Sequence, residues 1–68
     1  MATGTVKWFS IERGFGFIDS AGKDYFVYYR DIHREGFKKL TEGEPVKFTE
    51  SKNDKGLVAK DVIPLHPE

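Results

Sequence analysis

Two ring-bearing runs, Gly14-Phe15-Gly16-Phe17-Ile18 and Tyr25-Phe26-Val27-Tyr28-Tyr29, stand a short turn apart. A connection as brief as Asp19 to Asp24 makes two strands antiparallel neighbours. Alternate side chains of a strand share a face, so Phe15 and Phe17 point one way, and so do Phe26 and Tyr28. Ile18 and Val27 have the opposite parity. With those two aliphatics turned inward, the four rings gather on the outer side of the ribbon. Gly14 and Gly16 then fall on the inner face, where a missing side chain permits tight coiling or close backbone approach.

The rest of the chain also favours strands, in short runs of β-branched and aromatic residues divided by Gly, Asp, Asn and Lys. The first run is Thr3 to Ser10, with a turn at Ile11 to Gly14; the second is Phe15 to Ser20, closed by Ala21-Gly22-Lys23. The third runs from Asp24 to Tyr29, the fourth from Val46 to Ser51 and the fifth from Leu57 to Pro64. Asn53-Asp54-Lys55-Gly56 predicts a hairpin turn between the last two. Between Arg30 and Pro45 no alternation survives; Asp31 could cap a short helical turn through His33. Leu65 to Glu68 reads as a tail. With 68 residues the chain is expected to be one domain, 1–68. Five short strands bury their inner face most easily as a closed barrel, an all-β, five-stranded antiparallel OB-type barrel. Val6, Ile18, Val27, Ile32, Val46, Phe48, Val58 and Val62 supply its expected interior, with Ile63 a further candidate.

Aromatic residues in a small domain are ordinarily core. Here six Phe, three Tyr and one Trp exceed what one or two interior layers hold beside the aliphatic set. An exposed aromatic patch marks an interaction surface. Cations are interleaved with the rings: Lys7 precedes Trp8, Arg13 precedes Phe15, Arg30 follows Tyr29, Lys38 follows Phe37, and Lys55 tips the last hairpin. Rings that hold bases and cations that hold phosphates suit a single-stranded nucleic acid. The alternative is a protein-interaction barrel that uses the same patch. The formal net charge is zero; either a basic face lies opposite an acidic one or the charges are evenly mixed. In both cases stacking must supply much of the affinity.

Chemistry beyond binding finds little support. Neither of the two histidines, His33 and His66, pairs with Cys or clustered acids at metal-ligand spacing, so no metal and no cofactor are expected. Ser10, Ser20 and Ser51 have no evident base partner, which argues against an enzyme. Glu42 and Glu44 read as solvated loop acids. The chain contains no cysteine, which suits a reducing interior. It shows no apolar run of membrane-spanning length, so a cytoplasmic protein without membrane contact is expected.

Lys7-Trp8-Phe9, Arg13-Gly14-Phe15-Gly16-Phe17-Ile18, Phe26-Val27-Tyr28-Tyr29, Glu35-Gly36-Phe37-Lys38 and Glu42-Gly43 resemble the bacterial cold-shock domain in order and spacing, over nearly the whole chain. The resemblance makes the two ring-bearing runs RNP1-like and RNP2-like motifs. It implies an OB-type barrel that binds single-stranded RNA and DNA, favours pyrimidine-rich stretches, and serves as an RNA chaperone or transcription antiterminator. It gives stacking roles to Trp8, Phe15, Phe17, Phe26 and Phe37, and basic flanks to Lys7 and Arg13. Tyr28 stands where the family has His, Tyr29 where Phe is common, and Ser10 where Asn is usual. Arg30-Asp31 replaces a Ser-Ala pair, and Leu57-Val58 replaces Pro-Gln. Tyr25 takes a place usually held by Val; either the interior accommodates its ring or the ring swings out. The nucleic-acid contacts expected are therefore Lys7, Trp8, Ser10, Arg13, Phe15, Phe17, Phe26, Tyr28, Tyr29, Arg30, Phe37, Lys38 and Lys55. A monomer is expected.

Overall fold

The computed structural model describes residues 2–33 and 40–65. Five strands, β1 (Ala2–Ser10), β2 (Phe15–Ser20), β3 (Lys23–Tyr28), β4 (Pro45–Asn53) and β5 (Gly56–Pro64), close into a barrel in the order β1-β2-β3-β5-β4. A 3-10 turn, Tyr29–Asp31, follows β3. The expected barrel and its hairpin at Asn53–Gly56 are present. Every neighbouring pair is antiparallel except β3 and β5, which meet in parallel at Phe26 and Val58. An odd number of strands cannot alternate direction all the way round a closed ring, so one such seam is unavoidable.

The expected bounds shift by small amounts. Tyr29 leaves β3 to open the 3-10 turn, and Asp31 ends that turn instead of capping it. The reason lies one residue on: Ile32 is 1% exposed and bridges Val62, so the chain must return to extended backbone there. Pro45, which has no N–H to give, begins β4 beside Thr5, the position a strand tolerates best for proline.

Val6, Ile18, Tyr25, Val27, Ile32, Leu40, Val46, Phe48, Ala59 and Val62 form one buried cluster. Tyr25 turns inward: its ring centroid lies 5.0 Å from that of Phe48 and its hydroxyl donates to Glu50 Oε2 at 3.1 Å. Ala59 and Leu40 were not among the expected interior residues, and one candidate, Ile63, needs correction. Ile63 is only half-buried and shares its face with Lys47. Val58 is buried as expected, at 8% exposed, beside the main core cluster and not within it. Ile63 follows fully buried Val62, so plain alternation turns it outward, and a bulge places the residues before them. Between Lys47 and Thr49 the partner strand carries an extra residue, and Asp61 there has φ of 51°. The extra residue reverses the phase of β5, sending Ala59 into the core cluster and setting Val58, still buried, at the seam with β3.

A second bulge shapes the other side of the barrel. Val6 pairs with Ile18 but Trp8 pairs with Phe17, so Lys7 is the extra residue of β1. Strict alternation from buried Val6 would bury Trp8; the bulge turns Trp8 out and Phe9 towards the core. The Thr41–Glu44 turn secures the place, Val6 N–H donating to the Glu44 carbonyl at 2.9 Å and Gly43 N–H to the Val6 carbonyl at 2.7 Å. Opposite Phe9 lies Gly16, buried as expected. A Cβ there would sit 2.7 Å from Phe9 Cα and closer still to the Trp8 carbonyl oxygen, both backbone atoms that cannot step aside. Gly14, in contrast, leaves the interior and lies beneath the Tyr29 ring.

Two expectations follow. Gly16→Ala should separate β1 from β2 and lower stability by about 3 kcal/mol or more, enough to unfold much of a domain this small in a urea titration. Burial, together with the hydrogen bond and charge of Glu50, pushes the Tyr25 phenol above its ordinary 10.0. The folded state therefore favours the protonated phenol. That stability is complete below about pH 10 and is lost as the pH climbs through the higher folded value. Melting temperature should fall on this alkaline side, and Tyr25→Phe should flatten the fall; an unchanged slope would contradict it.

Candidate nucleic-acid interface

The register of β2 against β3 builds the site. Phe15 pairs with Tyr28 and Phe17 with Phe26, while Trp8 of β1 pairs with Phe17. Side chains of paired residues share a face, so rings from three strands collect outside the barrel. Trp8 lies 5.9 Å from Phe15 and 5.5 Å from Phe17 by ring centroids. Phe26 lies 5.4 Å from Phe15 and 5.7 Å from Phe17. The row continues from Phe26 to Tyr28 at 6.3 Å and from Tyr28 to Tyr29 at 5.2 Å. Phe26 and Tyr28 meet stacked, with 25° between their planes, and the other neighbouring rings meet tilted or edge-on, arrangements that ring quadrupoles favour. Trp8 is 40% exposed and Tyr29 45%; Phe15, Phe17, Phe26 and Tyr28 are half-buried. Strand parity places Phe15, Phe17, Phe26 and Tyr28 on one outer surface; the β1 bulge and the turn after β3 bring Trp8 and Tyr29 to the same side.

Tyr29 is held although it lies beyond the strand. Its N–H donates to the Gly14 carbonyl at 2.8 Å, and its ring covers Gly14, which has φ of +78°. A Cβ on Gly14 would lie 2.9 Å from Tyr29 Cδ1. One glycine thus serves both the turn and the ring that closes over it.

The polar residues divide. Lys7 Nζ reaches both carboxylate oxygens of Asp24 at 3.1 Å, so an expected phosphate ligand already has an anionic partner. Both side chains remain half-exposed, which keeps the pair weak and open to exchange. Ser10 Oγ accepts from the Arg13 backbone N–H at 3.3 Å and shapes the β1–β2 turn, leaving the Arg13 side chain exposed. The Arg30 guanidinium carbon stands 5.1 Å from the Tyr28 ring centroid. Lys55 is exposed at the tip of the last hairpin, its N–H donating to Asn53 Oδ1 at 2.9 Å. Phe37 and Lys38 fall outside the described residues, as does His66. His33 Nε2 lies 2.9 Å from Asp61 Oδ1, away from the rings.

Some lining residues escaped the sequence reading. Asp24, Leu57 and Val58 border a hollow beside Phe17 and Phe26, and Lys52 and Lys60 border another beside Tyr28. Their membership depends on β5 lying against β3 and on the phase shift at Asp61. A Gly-ended turn and an alternating β5 pattern signal neither.

The family model described as the 'Cold-shock' DNA-binding domain matches residues 2–65. The cold shock-like protein CspA of Shewanella violacea is 52% identical over 65 residues, covering 93% of each chain. The cold shock protein CspA of Staphylococcus saprophyticus is 47% identical over 66 residues, covering 96% of this chain and all of that one. The cold shock protein ScoF of Streptomyces coelicolor is 46% identical, covering 94% of this chain and 98% of its own.

Gly14→Ala places a side chain in left-handed backbone and against Tyr29 at once. It should lower stability by roughly 1–2 kcal/mol and shift the Tyr29 ring resonances in a proton spectrum. Unperturbed Tyr29 signals would show that the ring does not rest there.

Proposed function

The chain belongs to the cold-shock domain family, and from that premise we propose that it binds single-stranded RNA and DNA by stacking successive bases on its outer rings. The observation that carries this reading is the connected cluster of six rings, Trp8, Phe15, Phe17, Phe26, Tyr28 and Tyr29, each within 6.3 Å of at least one other. Free bases bring faces of their own, and each stacked base contributes roughly 1–3 kcal/mol whatever its identity. A duplex offers no such faces, because its bases already stack on one another. Pyrimidine-rich stretches are favoured, since they stack less in the free strand and bend more readily onto a curved surface.

The same magnitudes support a role as an RNA chaperone or transcription antiterminator. A base-pair step in a duplex is worth about 1.4 kcal/mol on average, the same order as one stacked base on a ring. Capturing several opened bases therefore melts a marginal hairpin without ATP, while a long helix withstands it. The reading needs no reaction and no cofactor, and one barrel is enough, so the protein acts as a monomer on cytoplasmic transcripts. Phe37 and Lys38 are proposed to extend the platform on the strength of the family pattern, with Lys7, Arg13 and Lys55 flanking it.

Titration with labelled oligonucleotides tests the proposal. A single-stranded pyrimidine heptamer should bind far more tightly than its duplex. Phe15→Ala should fold normally and weaken that binding by about 1–3 kcal/mol, roughly 5- to 150-fold. Equal affinity for duplex, or full affinity in the variant, would refute it. Binding of a protein partner through the rings, with none to oligonucleotide, would favour an interaction barrel.

A further inference from the structure

The outer surface does not end at β3. Phe26 sits beside Val58 across the parallel seam, and Val58 beside Ser51 of β4, so one face continues from the rings onto the last hairpin. Two hollows lie along this seam, and Phe26 and Val58 border both. Their charges differ in sign. Among the described residues the larger, about 750 Å³, carries Asp24 and Asp54 with Lys55. The smaller, about 440 Å³, carries Arg30, Lys52 and Lys60 with Asp31 among those residues.

In a chain of zero net charge, three cations around one hollow is a local excess. None of the three forms an ion pair among the described residues. Arg30 is held over the Tyr28 ring, which ties the basic rim directly to a stacking surface. Lys60 and Val58 share the outer face of β5 because the bulge at Asp61 reverses its phase.

We propose that the smaller hollow is a backbone-phosphate subsite for the single strand whose bases stack on Phe26 and Tyr28. Arg30, Lys52 and Lys60 supply the charge and the N–H donors, and Ser51 adds a hydroxyl at the wall. The larger hollow offers the Asp54 carboxylate, and the Asp24 carboxylate where a base displaces Lys7 from it, as acceptors for the N–H edges of a base. A strand crossing the seam thus sets its backbone to the basic side and its base edges to the acidic side. This inference rests on the single-strand reading and gives it a direction.

The test compares two charge-matched variants, Lys52→Gln/Lys60→Gln and Lys23→Gln/Lys47→Gln, each checked for an unaltered melting transition. Affinity for a single-stranded pyrimidine heptamer is measured across a range of salt. Each phosphate contact on a single strand contributes roughly 0.7 to the log–log salt slope, so K52Q/K60Q should flatten it by about 1.4. K23Q/K47Q should leave it as it is, and Arg30→Gln should flatten it by about 0.7. Equal flattening in both double variants, or in neither, would overturn the subsite. Inorganic phosphate that displaces the oligonucleotide at constant ionic strength would make the hollow a small-anion site and also overturn it. So would capture of a polyglutamate peptide through Lys52 and Lys60 with an unchanged oligonucleotide slope. If the unaltered protein binds no oligonucleotide, the stacking reading falls with it; a variant slope that fails to change removes the subsite alone.

Discussion

Backbone packed on backbone at Gly16 sets the geometry from which the ring surface follows. Because no side chain intervenes, β2 lies tight against β1 where Lys7 is looped out as a bulge. The bulge reverses the phase of β1 between Val6 and Trp8. Val6 goes in with Ile18, and Trp8 comes out with Phe17. The unbulged β2–β3 ladder then adds Phe15, Phe26 and Tyr28 to the same side. A side chain at Gly16 would act on all of these at once, although it touches none of the rings beyond Phe9.

The charges of this protein largely cancel. Lys and Arg number 11, Asp and Glu 11, and the cation nearest Trp8 is paired with Asp24. Cancellation is not uniform, however. Around Phe26 an acidic hollow and a basic one lie side by side, so the local field has a direction even where the sum is zero. Rings can hold bases of any identity; an arrangement of unlike charges can tell the backbone side of a strand from its base side.

Much of this was legible in the residues. Period-two alternation in β2 and β3 located the outward rings, and the Asn53–Gly56 turn located the last hairpin. Gly16 was legible as a point of close approach. What escaped were the effects of inserted residues and long-range pairing. The bulge at Asp61 put Ala59 into the core cluster and set Val58, still buried, at the seam with β3, with Lys60 exposed two residues on. No local pattern around Asp61 marks the change, since an aspartate in left-handed backbone looks like any surface aspartate in a strand. Tyr25 left two outcomes open, and Glu50, distant in sequence, decides between them by accepting its hydroxyl. Lys7 was legible as a cation beside the rings but not as one already engaged by Asp24.

Trp8 allows the outward ring surface to be probed directly. It is the only tryptophan of the chain, and its side chain borders both Phe15 and Phe17. Its emission should be quenched in proportion to bound single-stranded pyrimidine oligonucleotide and should saturate with binding. An oligonucleotide that binds while the emission stays unchanged would place the bases somewhere other than on these rings.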